Sequence, residues 1–327
     1  MAPIPQPYTK CNSPQNMDYL LHSPNESGQP TTTISQSDST NFLAAASLPF
    51  LNVLLLLTFF ALVYLTYKDY LTFLSLGRGG VPYNFYGYLF IASHRPFTLR
   101  SVLDYPSVPS HLTETGYLTS SSLSTRPGTR PIVKGIIPQR QITQQGNPSS
   151  FILTHACLKT LSTAHPTKCL TAQSCAETHS KGLFSLVDRQ GCSRGTKPSG
   201  LCEGEVCHVH PFDGSVHVKL HPEDVKIVIE KGWGERHSLA NGWTFGKFLE
   251  EGFMLIYAPR DTTEVEALLS IVGAGIGWAN GEGGWAENAA ECAREVIAKG
   301  EKAMVDRGES WDKEREKVLT RYTTQSG

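Results

Sequence analysis

The sequence predicts an α+β fold: a single N-terminal transmembrane helix, then a compact domain with an antiparallel hairpin-containing sheet and flanking helices. Three observations carry this. Residues 42–67 hold no charged side chain. Val206–His210 and Ser215–Leu220 alternate in side-chain type on either side of Pro211-Phe212-Asp213-Gly214. Beyond them, apolar stripes of helical period alternate with short extended runs, giving the order strand, strand, helix, strand, helix.

From the N-terminus, residues 1–41 are rich in Pro, Ser, Thr, Gln and Asn and predict a disordered tail. A helix over residues 42–67 reaches about 39 Å at 1.5 Å per residue, enough to cross a hydrocarbon core of about 30 Å. The polar residues ahead of it and its length fit a cleaved signal peptide poorly. Lys68 and Arg78 follow this run, and no Lys or Arg closely precedes it. The positive-inside rule therefore places the C-terminal body in the cytoplasm of a single-pass protein, with the endoplasmic reticulum as the expected membrane. The sequon Asn25-Glu26-Ser27 falls on the opposite, lumenal side.

Residues 68–145 form a juxtamembrane and lead-in segment, sparsely patterned and rich in Pro, Ser, Thr and Tyr. Residues 146–200 differ from their neighbours, being rich in Cys, Ser and Thr with little sustained period. Three readings compete for that segment: an irregular insertion, a metal-binding knuckle using Cys169, Cys175, His179 and Cys192, or the translation of an intron or a wrong frame. Residues 201–285 are the expected core, and 286–327 a charged, Ala-rich and mostly exposed helix.

In the core, Pro211 and Asp213-Gly214 supply turn chemistry. A four-residue loop sets His210 opposite Ser215, Val209 opposite Val216 and His208 opposite His217. Successive side chains point to opposite faces. One face then carries Cys207, Val209, Val216 and Val218; the other carries His208, His210, Ser215, His217 and Lys219. Directly opposed residues lie roughly 4.5–5.5 Å apart at Cβ, so His208 and His217 can share one ligand, proton or metal. His221-Pro222-Glu223-Asp224 opens a helix with Val225, Val228 and Ile229 on its buried stripe and Gly232 at its left-handed cap. Residues 233–237, Trp-Gly-Glu-Arg-His, are then expected to be irregular backbone. Phe253–Tyr257 predicts a buried strand that leaves Arg260 at its end, and Asp261 with Glu264 has capping-box spacing before a helix.

A chain of 327 residues holds one or two domains. A formal net charge of −1 gives no argument for nucleic acid. No Walker loop is present, and the glycines between 272 and 284 do not form a dinucleotide fingerprint.

Several stretches together resemble the fungal luciferase family, the membrane-associated enzymes of fungal bioluminescence and their relatives. They are Lys68-Asp69-Tyr70-Leu71-Thr72-Phe73-Leu74, Asn84-Phe85-Tyr86-Gly87-Tyr88, Gly128-Thr129-Arg130-Pro131 and Ile137-Pro138-Gln139-Arg140-Gln141, followed by His208-Val209-His210, residues 231–237 and Tyr257-Ala258-Pro259-Arg260. In the luminous members the resemblance implies oxygenation of the hydroxylated α-pyrone 3-hydroxyhispidin through a peroxide that loses carbon dioxide. Molecular oxygen is the co-substrate, and no flavin or nicotinamide is implied. Such chemistry needs a base for the enolate, cations for the developing negative charge, and exclusion of water. His208, His210 or His217 is cast as base, with His237 as a second candidate. Arg236 and Arg260 are cast as holders of the anionic oxygens, and Trp233 and Tyr257 as pocket walls. The partners expected are an apolar aromatic small molecule and the lipid bilayer, not nucleic acid. Two other readings stay open: a metal-dependent enzyme using His208, His210 and His217, and a membrane-tethered binding module without turnover.

Overall fold

The structure, a computed structural model, describes residues 36–110, 112, 115–146, 148–177, 180–187, 204–241 and 249–307. They divide into two units, one ending at Leu62 and the other beginning at Val63. Helix α1 (Gln36–Ser75) crosses that boundary. Its stretch Phe50–Ser75 has a mean hydropathy of 2.1 and is long and apolar enough to span a membrane. Apolar side chains from Phe50 to Tyr67 point outward all round the axis, with no polar stripe. The expected tail and its sequon lie outside the described residues up to 35, while 36–41 already belong to α1.

Within the second unit, the end of α1 packs on helix α2 (Phe85–His94), with Phe73, Tyr88 and Ile91 buried between them. Asn84 caps α2 by accepting from the Gly87 amide. Asp69 accepts two hydrogen bonds from Arg95, at 2.6 and 3.0 Å, and one from the Tyr88 hydroxyl. A small ladder, β1 (Val133–Lys134) with β2 (Arg140–Gln141), follows.

The body of the second unit is a six-stranded antiparallel sheet of β3 (Cys169–Gln173), β4 (Lys181–Ser185), β5 (Glu205–Val209), β6 (Val216–Lys219), β7 (Gly234–Arg236) and β8 (Phe253–Ile256). Its order is β3-β4-β5-β6-β8-β7. The flanking helices are α3 (Pro148–Ala164), α4 (Pro222–Glu230), α5 (Thr262–Asn280) and α6 (Trp285–Arg307). Leu183, Cys207, Val209, Val216, Val218, Met254 and Ile256 share one face of the sheet. They form a single core with Leu158 and Leu161 of α3, Val265, Leu268 and Val272 of α5, and Ala289 and Ala293 of α6. Each fully buried Val or Leu contributes about 1.5–3 kcal/mol. This face anchors the sheet and leaves the other free for chemistry.

Three sequence expectations are corrected. Residues 146–200 are not an irregular insertion where they are described: α3, β3 and β4 lie there and supply two strands and a core helix. Their apolar positions are diluted by Ser, Thr and Cys, which hides the period although Phe151, Leu158, Leu161 and Leu183 are buried. The metal-knuckle reading fails with it, since Cys169 is a core residue and Cys175 is disulfide-bonded; His179 and Cys192 lie outside the described residues. Residues 234–236 are strand β7 rather than loop, because their backbone pairs with β8 from Gly234–Ile256 to Arg236–Met254. Helix α6 is not mostly exposed at its start, where Trp285, Ala286, Ala289 and Ala293 are buried against the core. The remainder of that expected helix, 308–327, lies outside the described residues.

Candidate functional site: a buried histidine cluster opposite the apolar sheet face

The hairpin forms in the register its alternation requires, with Cys207 opposite Val218, His208 opposite His217 and Val209 opposite Val216. The turn is closed by the Gly214 amide donating to the His210 carbonyl at 2.9 Å and by the His210 amide donating to the Ser215 carbonyl at 2.8 Å. Gly214 sits at φ 78°, the left-handed backbone that Gly tolerates without a Cβ clash. His208, His210 and His217 consequently share the face opposite the Val residues. Their ring centroids are 5.4 Å (208–210), 5.2 Å (208–217) and 4.6 Å (210–217) apart. All three are buried.

Each Nδ1 has a partner that fixes the tautomer. His217 Nδ1 lies 3.1 Å from the Met254 carbonyl, which only accepts, so Nδ1 carries the proton. His208 Nδ1 lies 3.1 Å from Glu205 Oε1. Burial raises the Glu205 carboxyl, but hydrogen bonds from His208 and Ser174 outweigh it and leave the group below its ordinary range. A carboxylate accepts, so His208 also donates through Nδ1. His210 Nδ1 lies 2.8 Å from Ser215 Oγ, whose own proton goes to Asp213 Oδ1 at 2.6 Å. Ser215 must then accept from His210. All three rings thus carry a proton on Nδ1, which leaves Nε2 as the nitrogen that each can turn to other chemistry. Burial depresses the pKa of His210 and His217 well below the usual histidine range; the Arg140 charge adds to this for His210, and the neighbouring histidines for His217.

Asp213 is the keystone of the turn. Oδ1 accepts from the Ser215 amide at 2.8 Å, and Oδ2 from the Gln141 amide at 2.8 Å. The latter bond ties the hairpin to the segment 136–141, which covers the cluster. Arg140, in that segment, is buried and pairs with Glu177 at 2.8 Å and with the Arg78 carbonyl at 2.7 Å. Its Nε and the neighbouring Gln139 Oε1 are buried without a partner among the described residues. Phe253 stacks on His217 with centroids 4.8 Å apart and planes 13° apart.

The other expected site residues divide. His237 is next to the cluster, 5.5 Å from His217 between centroids, but both its nitrogens are occupied: Nε2 by the Ile136 carbonyl at 2.8 Å, and Nδ1 by the Leu239 amide at 3.1 Å. Burial holds its pKa at about 4. It braces the covering segment and offers no lone pair for a second base. Tyr257 is buried and donates to Glu235 at 3.1 Å. Glu235 is opposite Leu255, which is opposite His217, so Glu235 shares the histidine face. Trp233 belongs to the apolar core and donates from Nε1 to the Ser124 carbonyl at 2.6 Å.

The two arginines do not meet the cluster. Arg236 is opposite Met254, which is opposite Val218, so it projects to the apolar face; there it donates to the carbonyls of Asp104, Ala240 and Glu251. Arg260 is tied to Glu264 and the Pro127 carbonyl. The resemblance cast both as holders of anionic oxygens; backbone pairing turns Arg236 to the other face, and Glu264 holds Arg260 away.

The roles of Glu205, Asp213 and Arg140 were not foreseen, and Ser215 was placed on the histidine face without its bond to His210. Strict alternation puts Glu205 on the Val face, but a bulge re-aims it: Leu183 pairs with Cys207 and the next residue, Phe184, with Glu205. Asp213 was visible only as turn chemistry.

A luciferase-domain family model matches residues 203–275, from the bulge through the hairpin to α5. A protein named luciferase from Neonothopanus nambi is 30% identical over 226 residues, covering 64% of this chain and 80% of the relative. The chain belongs to the fungal luciferase family. Luciferases from Armillaria gallica and Armillaria ostoyae are 30% and 31% identical, with the same shares covered. No solved structure matches. The family segment therefore contains all three clustered histidines of this luciferase-family chain, together with Glu205, Asp213 and Ser215.

Proposed function

We propose that the chain is a membrane-anchored, luciferase-like oxygenase acting on a hydroxylated α-pyrone or a related polyphenol, with molecular oxygen as co-substrate and no flavin or nicotinamide. One observation carries the proposal: three buried imidazoles, each engaged through Nδ1, bring one ring nitrogen apiece to within 4.8 Å of the others. A buried neutral imidazole is a competent base for an enolic proton. The cover over the cluster keeps water from a reactive peroxide. Arg140, whose charge already acts on His210, takes the anion-holding role first given to Arg236 and Arg260. An apolar substrate partitions into lipid, which suits the apolar helix α1 as an anchor. The named activity of the relatives supports the reaction class.

Oxygen consumption by the purified chain with 3-hydroxyhispidin tests the reading. Turnover by the wild-type chain and a loss of roughly 10²-fold or more in folded His208→Gln and His217→Gln variants are expected. Undiminished uptake in both variants removes the cluster from the chemistry.

A further inference from the structure

We propose that His208, His210 and His217 form a binding site for one divalent first-row transition-metal ion, held through their Nε2 atoms with at least one position left open. The proposal rests on the reading of the cluster as a reaction centre but changes the histidines' role in it: an ion on all three Nε2 atoms takes the lone pairs, and the base is then the group bound at the open position.

One ring nitrogen from each of the three histidines lies within 4.8 Å of the other two. Ligands about 2.1 Å from one ion in tetrahedral geometry lie about 3.4 Å apart, so closure moves each nitrogen by less than about 1 Å. The second observation is the pattern of outer partners. Metal-bound histidines donate their remaining N–H to a carboxylate, a backbone carbonyl or another fixed acceptor, which sets the tautomer and the ring direction. Here the three acceptors are the Glu205 carboxylate, the Met254 carbonyl and Ser215 Oγ, the last held by Asp213. A solvated row of histidines does not need three matched acceptors, and a packing role would leave the choice of nitrogen free. The contrast is internal, because His237 beside the cluster has the opposite tautomer and both nitrogens used by backbone.

The donor set defines the ion. Three imidazoles without a thiolate suit Zn, Fe, Co, Ni or Cu rather than Ca or Mg, which prefer oxygen. Cys207, the nearest thiol in sequence, points to the core face. Glu205 and Asp213 place two acidic groups around the histidines, complementing the charge of a dication. Glu205 is here a positioning residue acting through His208.

The test uses the tag-free full chain in detergent, stripped with a chelator and dialysed against Co(II) or Zn(II). The expected result is one ion per chain by mass spectrometry and visible d–d absorption of low-symmetry Co(II). Glu205→Gln is expected to weaken affinity roughly 10- to 100-fold while circular dichroism stays native. His217→Gln is expected to abolish the Co(II) spectrum, and His237→Gln to keep it. Folded wild-type chain that retains less than a tenth of an equivalent overturns the site, as does binding equally tight in Glu205→Gln and His217→Gln. Metal bound with no pyrone turnover upholds the site and refutes the oxygenase reading. Full turnover by stripped, metal-free chain upholds the oxygenase reading with an imidazole as base and overturns a role for the ion in that reaction.

Discussion

Asp213→Ala is expected to destabilise the protein by roughly 3–6 kcal/mol, the largest effect of any single change at the site. The carboxylate accepts from three buried donors: the Ser215 amide, the Ser215 hydroxyl and the Gln141 amide. Alanine leaves all three without their acceptor, and each buried unsatisfied group costs about 1–3 kcal/mol. The hydroxyl alone has an escape, since it can turn and donate to His210 Nδ1. That escape forces His210 into the Nε2–H tautomer and removes its free lone pair. The variant therefore loses stability and chemistry by one route. Asp213→Asn separates the terms: its oxygen still serves Ser215, but its amide meets the Gln141 N–H donor to donor, so about half the loss is expected. Denaturation followed by tryptophan fluorescence, in one detergent for all variants, measures the series. Equal stability of Asp213→Ala and wild type would show that the turn is not tied as described.

Arg140→Met is expected to cost about 3–5 kcal/mol, because it strands the buried Glu177 carboxylate. Both side chains are nearly inaccessible, at 2% and 4% exposure, so water cannot replace the guanidinium. The loss is a property of the pair: adding Glu177→Gln removes the orphaned charge and is expected to recover most of it. A double variant no more stable than Arg140→Met alone would place the cost in lost packing or in the Arg78 carbonyl bond. Since Arg140 lies in the segment over the histidines, the double variant also separates stability from activity. If Arg140 holds an anionic intermediate, the stabilised variant remains slow.

The legible and the hidden parts of this fold differ for physical reasons. The hairpin was readable because a four-residue turn and strict alternation fix the register, and a slip by one residue would have exposed Val209 and Val216. Helix α4 was readable for a similar reason, with Pro222 at its start and Gly232 at φ 80° after its end. Strand β7 was not, since Gly234-Glu235-Arg236 has no apolar alternation and exists by pairing with β8. Nor was the role of 146–187: Ser, Thr and Cys pack well in α3, β3 and β4 but carry a weak periodic signal. At the site, the histidines followed from local sequence. Their acceptors came from a bulge, from a distant strand and from turn geometry, none of which spacing encodes. The expected arginines failed because a need for cations does not say where a side chain points: pairing with β8 turns Arg236 to the apolar face, and Glu264 claims Arg260.

The protonation pattern of the imidazoles is the most direct test of the account. Long-range proton–nitrogen NMR correlations on ¹⁵N-histidine-labelled, metal-stripped chain report which ring nitrogen carries hydrogen, with each signal assigned by single substitution. The account predicts Nδ1–H for His208, His210 and His217 and Nε2–H for His237. An Nε2–H signal from any of the first three would contradict it, because that ring could then offer neither a base nor a ligand to the shared site.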